Sequence, residues 1–165
     1  MNFSLIKLEK GSPLYQEFAS DFRLLITKEI TTSEGVYTIS CGEVFFTVLS
    51  SQKILTQEDS FKKLFSSHKS SEVAGELILN YSSKGKKIVL LNRIEIYPEF
   101  RKQGLLSATL NYLSSLYPDH NFGLVPYPLQ HLKNKGETFI SDAEKLRNYY
   151  KSLGFNSQFK EFLIK

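Results

Sequence analysis

The chain has 165 residues, 41% of them hydrophobic, and 21 Lys and Arg against 17 Asp and Glu give a formal charge of +4. That is enough apolar content for one sizeable core, while the charge is too scattered for a nucleic-acid-binding stripe. The single cysteine, Cys41, excludes an internal disulfide, and the opening MNFSLIKLEK lacks the long apolar core of a signal peptide or membrane span, so we expect one domain over residues 1–165 in a reducing cytoplasm, with neither nucleic acid nor membrane as partner.

In chain order, Asn2 to Leu8 sets Phe3, Leu5 and Leu8 among polar residues and admits a strand. Phe22 to Ile30 alternates in part and admits one too. Against that, Pro13 follows Ser12 at a first helical position, and Leu14, Phe18, Phe22 and Leu25 keep helical spacing, which favours a helix from Pro13 to about Leu25. Val36 to Ile39 and Val44 to Leu49 are rich in β-branched and aromatic residues and are divided by Cys41-Gly42, predicting two short strands or a hairpin. Thr56 to Ser67 reads as a helix with Thr56 as cap, Glu58 and Asp59 in the first turn and Phe61, Leu64 and Phe65 on one face.

Glu72 to Tyr81 and Lys86 to Tyr97 are predicted as antiparallel strands joined by the polar turn Ser82-Ser83-Lys84-Gly85. Simple alternation puts Ile88, Leu90, Asn92, Ile94 and Ile96 on one face of the second strand. Val89, Leu91, Arg93, Glu95 and Tyr97 fall on the other. After a glycine-bearing turn, Leu106, Leu110, Leu113 and Tyr117 recur at helical spacing up to Pro118-Asp119, and Phe122 to Tyr127 follows as a short strand. Strand, helix, strand predicts a parallel pair joined by a crossover. Ser141-x-x-Glu144 forms a capping box for a helix through Leu146, Tyr149, Tyr150 and Leu153, Gly154 stands at its C-terminal cap, and Phe155 to Ile164 closes the chain as a strand.

The densest signal is Arg93 to Leu110, RIEIYPEFRKQGLLSATL, in which an apolar strand passes through Pro98 and Gly104 straight into an amphipathic helix. Backbone N–H groups at such a helix start, together with its positive dipole end, form an anion cradle. His68, His120 and His131 share no metal-ligand spacing, and Cys41 reads as a small buried thiol.

With LRNYYKSLGF downstream, the segment IEIYPEFRKQGLL resembles the GNAT superfamily of N-acetyltransferases. Arg101-Lys102-Gln103-Gly104-Leu105-Leu106 matches the first two fixed positions of that family's signature, Arg or Gln, two residues, Gly, one residue, Gly or Ala. Leu106 departs at the last. A second signature, Tyr four residues before Gly-Phe, falls on Tyr150 before Gly154-Phe155.

The resemblance implies an α+β sandwich, with a mixed and mostly antiparallel sheet, a splayed parallel strand pair and helices on both faces. It implies acetyl-CoA as cosubstrate and no metal. Backbone at Ile94, Glu95 and Ile96 would pair with the pantetheine arm, and the amides of Arg101, Lys102, Gln103, Gly104, Leu105 and Leu106 would hold the pyrophosphate. A small-molecule or peptide amine would attack the thioester directly. Tyr150 is the implied general acid and Glu95 the nearest carboxylate for a base. Pro126 and Pro128, beside Tyr127 and Gln130, are expected to shape the acceptor pocket. The alternative is a non-catalytic acyl-CoA-binding module of the same fold; monomer and homodimer both remain open.

Overall fold

The computed structural model describes residues 1–66, 69–129 and 136–165. His68, Gln130 and His131 therefore lie outside the described residues. Seven strands, β1 (Asn2–Leu8), β2 (Ala19–Thr32), β3 (Gly35–Leu49), β4 (Lys87–Ile96), β5 (His120–Leu124), β6 (Ser157–Phe159) and β7 (Phe162–Ile164), form one mixed sheet in the order β1-β2-β3-β4-β5-β7-β6. The β4–β5 pair is parallel and every other pair is antiparallel.

Helices cover both faces. On one, α5 (Leu105–Leu116) and α6 (Phe139–Ser152) bring Leu106, Leu110, Leu113 and Tyr150 against Leu24, Phe46, Val89 and Leu91. On the other, α1 (Pro13–Phe18), α2 (Ser51–Thr56), α3 (Glu58–Phe65) and α4 (Lys69–Ser83) supply Phe18, Ile54, Phe61, Leu77 and Ile78, which pack with Leu49, Ile88 and Leu90. Residues 88–91 of β4 are therefore apolar without alternation, as a strand covered on both sides requires. Each such buried side chain contributes about 1.5–3 kcal/mol.

Several expectations are corrected. The first helix stops at Phe18, not Leu25: Ser12 Oγ accepts from Tyr15 N at 3.2 Å to start it, but from Ala19 the backbone pairs with β1 on one side and β3 on the other. Two ladders of hydrogen bonds and the β-branched residues Ile26, Thr27, Ile30 and Thr31 outweigh an accidental helical spacing. Cys41-Gly42 does not divide two strands, because β3 runs through it, with Cys41 as the extra residue of a bulge between the pairs Ile26–Gly42 and Thr27–Ser40.

Thr56 caps no helix start. It ends α2, its Oγ1 bonding back to the carbonyls of Gln52 and Lys53 at 3.1 Å, and α3 begins after Gln57. Glu72 to Tyr81 is helix, not strand. Val73, Leu77, Ile78 and Tyr81 share one helical face, and that face covers the sheet beside Phe61 and Phe18. Ser82 to Gly85 is consequently a helix terminus: Lys86 N donates to Tyr81 O and Gly85 N to Ser82 O, both at 2.9 Å, with Gly85 at φ +68°. The antiparallel partner of β4 is thus β3.

The simple alternation of β4 also fails. Phe45 pairs with Arg93 and Phe46 with Leu91, leaving Asn92 as an extra residue. Beyond this bulge Ile94 and Ile96 pack with the same cluster as Val89 and Leu91. Helix α6 begins a turn before the expected capping box: Thr138 is the cap residue, and Ser141 Oγ donates to the Thr138 carbonyl at 3.1 Å. Phe155 to Ile164 is a hairpin of β6 and β7 that turns at Lys160, φ +50°. No helix among the described residues is long and apolar enough to cross a membrane.

Candidate active site

The parallel pair ends before β4 does. Pairing with β5 runs from Lys87–His120 to Leu91–Leu124, whereas β4 continues to Ile96, held only by β3 on its other edge. Pro126 removes a backbone donor two residues after β5 stops, so the chain diverges there. The result is an opening in the sheet beside residues 92–96.

The end of β4 is pinned from the far side. Tyr97 N donates to Cys41 O at 2.9 Å, and Gly42 lies so close to β4 that a Cβ there would stand 2.3 Å from Glu95 O. Only glycine permits that approach. After a short 3₁₀ turn at Pro98–Phe100, the backbone takes positive φ at Lys102 (+62°) and Gly104 (+73°), and α5 begins. No side chain caps it, and its first helical bond is Ala108 N to Gly104 O. The amides of Leu105, Leu106 and Ser107 precede that bond, at the positive end of the helix dipole. No atom approaches within 4 Å of a Cβ built on Gly104, so glycine serves the backbone angle and leaves the space above the turn open.

These elements enclose a cavity of about 750 Å³, within the usual range for small-molecule sites. Ile94, Glu95, Ile96, Arg101, Lys102, Gly104, Leu105, Leu106 and Tyr150 all line it, gathering every residue expected to hold the cosubstrate or act on it except Gln103; of the residues expected to shape the acceptor pocket, Tyr127 and Pro128 line it and Pro126 does not. Gln103 instead donates from Nε2 to Glu99 O at 3.1 Å. Leu106, the departure from the signature, is 9% exposed and packs in the core under α5 while touching the cavity. Arg101 Nε donates to Ile96 O at 3.0 Å, tying the turn to the strand end.

Tyr150 is 7% exposed, with its ring edge-on to Phe155 at 5.7 Å and tilted against Tyr149 at 6.1 Å. Its hydroxyl has no hydrogen-bond partner among the described residues. Burial, then the neighbouring Tyr149, pushes its pKa well above the ordinary phenol value, so it holds its proton throughout the neutral range. Glu95 lines the cavity, and its carboxylate pairs with Arg93.

Sequence reasoning missed the α6 wall. Asp142 and Leu146 precede Tyr150 by eight and four residues on the same helical face, Lys145 precedes Tyr149 by four, and all line the cavity. The helical period counted back from Tyr150 would have found them. Lys145 pairs with Asp142 at 3.6 Å. Tyr127, Pro128 and Leu129 also line the cavity, with Tyr127 tilted against Phe139 at the start of α6, 5.3 Å between ring centroids. Among the described residues no group of three or more His, Cys, Asp or Glu is placed to hold a metal ion.

This arrangement can receive an elongated ligand with an anionic end. The uncapped helix start, Arg101, Lys102 and Lys145 suit phosphate, the unpaired edge of β4 suits an amide-bearing arm, and Tyr150 offers one proton. No family of known proteins, curated relative or solved structure matches the chain.

Proposed function

We propose that the chain is an acetyl-CoA-dependent N-acetyltransferase with the GNAT fold, acting on a primary amine. The observation that carries this reading is the convergence, in one cavity, of the unpaired edge of β4, the uncapped start of α5 and the largely buried Tyr150. Strand order, the lone parallel pair and helices on both faces support it at the level of the fold.

The residues present fit the cosubstrate. Backbone groups of Ile94, Glu95 and Ile96 would hold the pantetheine arm, and the amides from Lys102 to Leu106 the pyrophosphate; the expected Arg101 amide is not among them, because it donates to Pro98 O at 3.3 Å within the 3₁₀ turn. When bound, acetyl-CoA supplies a thioester carbonyl that a neutral amine attacks, the C–N bond forming as the C–S bond breaks. A backbone N–H near the end of β4 would stabilise the developing oxyanion. Tyr150 gives its proton to the departing sulfur and recovers one from solvent; its raised pKa keeps the phenol protonated at neutral pH but makes it a weaker acid than an ordinary phenol. The proton lost by the amine goes to water, because Glu95, the candidate base, is already engaged by Arg93.

That engagement also favours the second reading, a binding module without turnover, since the cavity's other carboxylate, Asp142, is itself paired with Lys145. Two measurements separate the readings. Acetyl-CoA should raise the melting temperature of the purified chain, and CoA release should be followed across simple amines, polyamines, aminoglycosides and peptide N-termini. No thermal shift at saturating acetyl-CoA sinks both readings; a shift with no CoA release from any amine leaves the module.

A further inference from the structure

A second cavity, of about 880 Å³, lies on the sheet face opposite α5 and α6, and Tyr127 lines both cavities. Its floor is a row of polar side chains crossing three strands. Tyr15 Oη donates to Asp21 Oδ1 at 3.1 Å, Thr47 Oγ1 lies 2.5 Å from the same oxygen, and Asn92 Nδ2 lies 2.8 Å from Thr47 Oγ1.

The direction of these bonds follows from chemistry. A carboxylate only accepts, so Thr47 spends its single proton on Asp21 and must accept from Asn92. This turns the Asn92 amide nitrogen toward Thr47 and leaves its carbonyl oxygen facing elsewhere. Tyr15 keeps its proton as well, its pKa raised to about 12 by burial and by Asp21. Among the described residues, neither Asp21 Oδ2 nor Asn92 Oδ1 has a partner, and both residues line the cavity. Both hydroxyl donors are consumed, and the unused oxygens accept.

The cationic side chains here are otherwise placed: Arg93 pairs with Glu95, and the exposed Lys10 lies over the Phe45 ring at 5.7 Å. Phe65 and Tyr15 add aromatic walls, which attract a cation further. Asp21 stands opposite Thr47 and Thr47 opposite Leu90, so two strand spacings, about 10 Å, separate Asp21 from β4 at Leu90, and the opening beside residues 92–96 begins two residues farther along that strand.

We propose that this cavity binds an extended amine carrying a second, permanently protonated nitrogen, held by Asp21 two strands away from β4 and the opening at its end. That its near nitrogen is the acetyl acceptor rests on the function proposed above. That nitrogen reacts as the free base and, once the C–N bond has formed, loses one of its two protons to water, while the far nitrogen stays protonated and unacetylated on Asp21.

The test needs no variant to begin. Octane-1,8-diamine and octylamine differ only in the second nitrogen, and each is titrated calorimetrically into the full chain with and without CoA. At least tenfold tighter binding of the diamine is expected, with 1,3-diaminopropane, too short to bridge the floor, no better than a monoamine. In Asp21→Asn the preference should collapse while octylamine binding stays. Equal binding of the two amines, no binding of either, or a preference that survives Asp21→Asn overturns the proposal. If that variant does not fold, the wild-type comparison still decides. The acetyl-CoA thermal shift is read separately: its absence with the diamine preference intact sinks acetyl transfer, whereas its presence with no preference sinks only the diamine.

Discussion

The two cavities are built by different parts of the polypeptide. On the α5 and α6 face, the recognition groups are mostly main chain: the unpaired edge of β4, the αL turn at Gly104 and the uncapped amides that follow. On the other face they are side chains, with Asp21, Thr47 and Asn92 arranged by their own hydrogen bonds. A main-chain site tolerates changes in side chain provided the backbone path survives. A side-chain site is retuned by single substitutions. Such a division suits a ligand that stays the same on one side and a variable partner on the other, and damage to the two faces should therefore have different signatures.

The largest expected effect is in turnover. Tyr150→Phe should lower kcat by about 10²–10⁴-fold, the usual contribution of a positioned acid, while the acetyl-CoA thermal shift persists; unchanged turnover discards the acid role. Next comes the wall shared by β3 and β4. Gly42→Ala puts a methyl group 2.3 Å from Glu95 O, and overpacking of this kind costs about 1–3 kcal/mol, or a Tm lower by about 2–4 °C per kcal/mol in a chain of this size. An unaltered Tm would show that β4 is not pinned there.

Gly104→Val forces a β-branched residue to φ +73°, a strain of about 1–3 kcal/mol. It should weaken acetyl-CoA binding measured by titration but leave amine binding in the opposite cavity untouched; equal losses in both would erase the division between them. The smallest effect is on pH dependence. Tyr15 and Tyr150 have raised pKa values in the folded chain, so the native state keeps protons that the unfolded state releases above about pH 10. The stabilisation these phenols provide is complete below that pH and is lost as pH rises toward and beyond about 12. Urea midpoints should fall across this alkaline window, and less in Tyr15→Phe than in wild type.

Much of the α5-face cavity was legible because its signals are local. A strand, a glycine turn and an amphipathic helix are adjacent in the chain, and Gly104 and Gly154 each announce a positive φ that few other residues adopt. Tyr150 came with Gly154-Phe155. The opposite cavity was illegible because Asp21, Thr47 and Asn92 are distant in sequence and meet only through strand register. Where local and long-range preferences conflicted, long-range pairing decided: Phe22 and Leu25 keep helical spacing yet lie in β2. The helix α4 failed differently, since Glu72 to Tyr81 contains apolar residues compatible with either period, and the packing of Leu77 and Ile78 on the sheet selects the helix.

Asn92 has a wider consequence. Side chains of a strand alternate like beats in a two-count measure, and this residue inserts one beat. Removing it would shorten the chain by a single residue but reverse everything after it, sending Ile94 and Ile96 toward the face of the second cavity and the Glu95 carboxylate into the apolar layer beneath α5. The chemistry of both faces of the sheet is thus kept in phase by one residue whose own side chain completes the polar row on the far side.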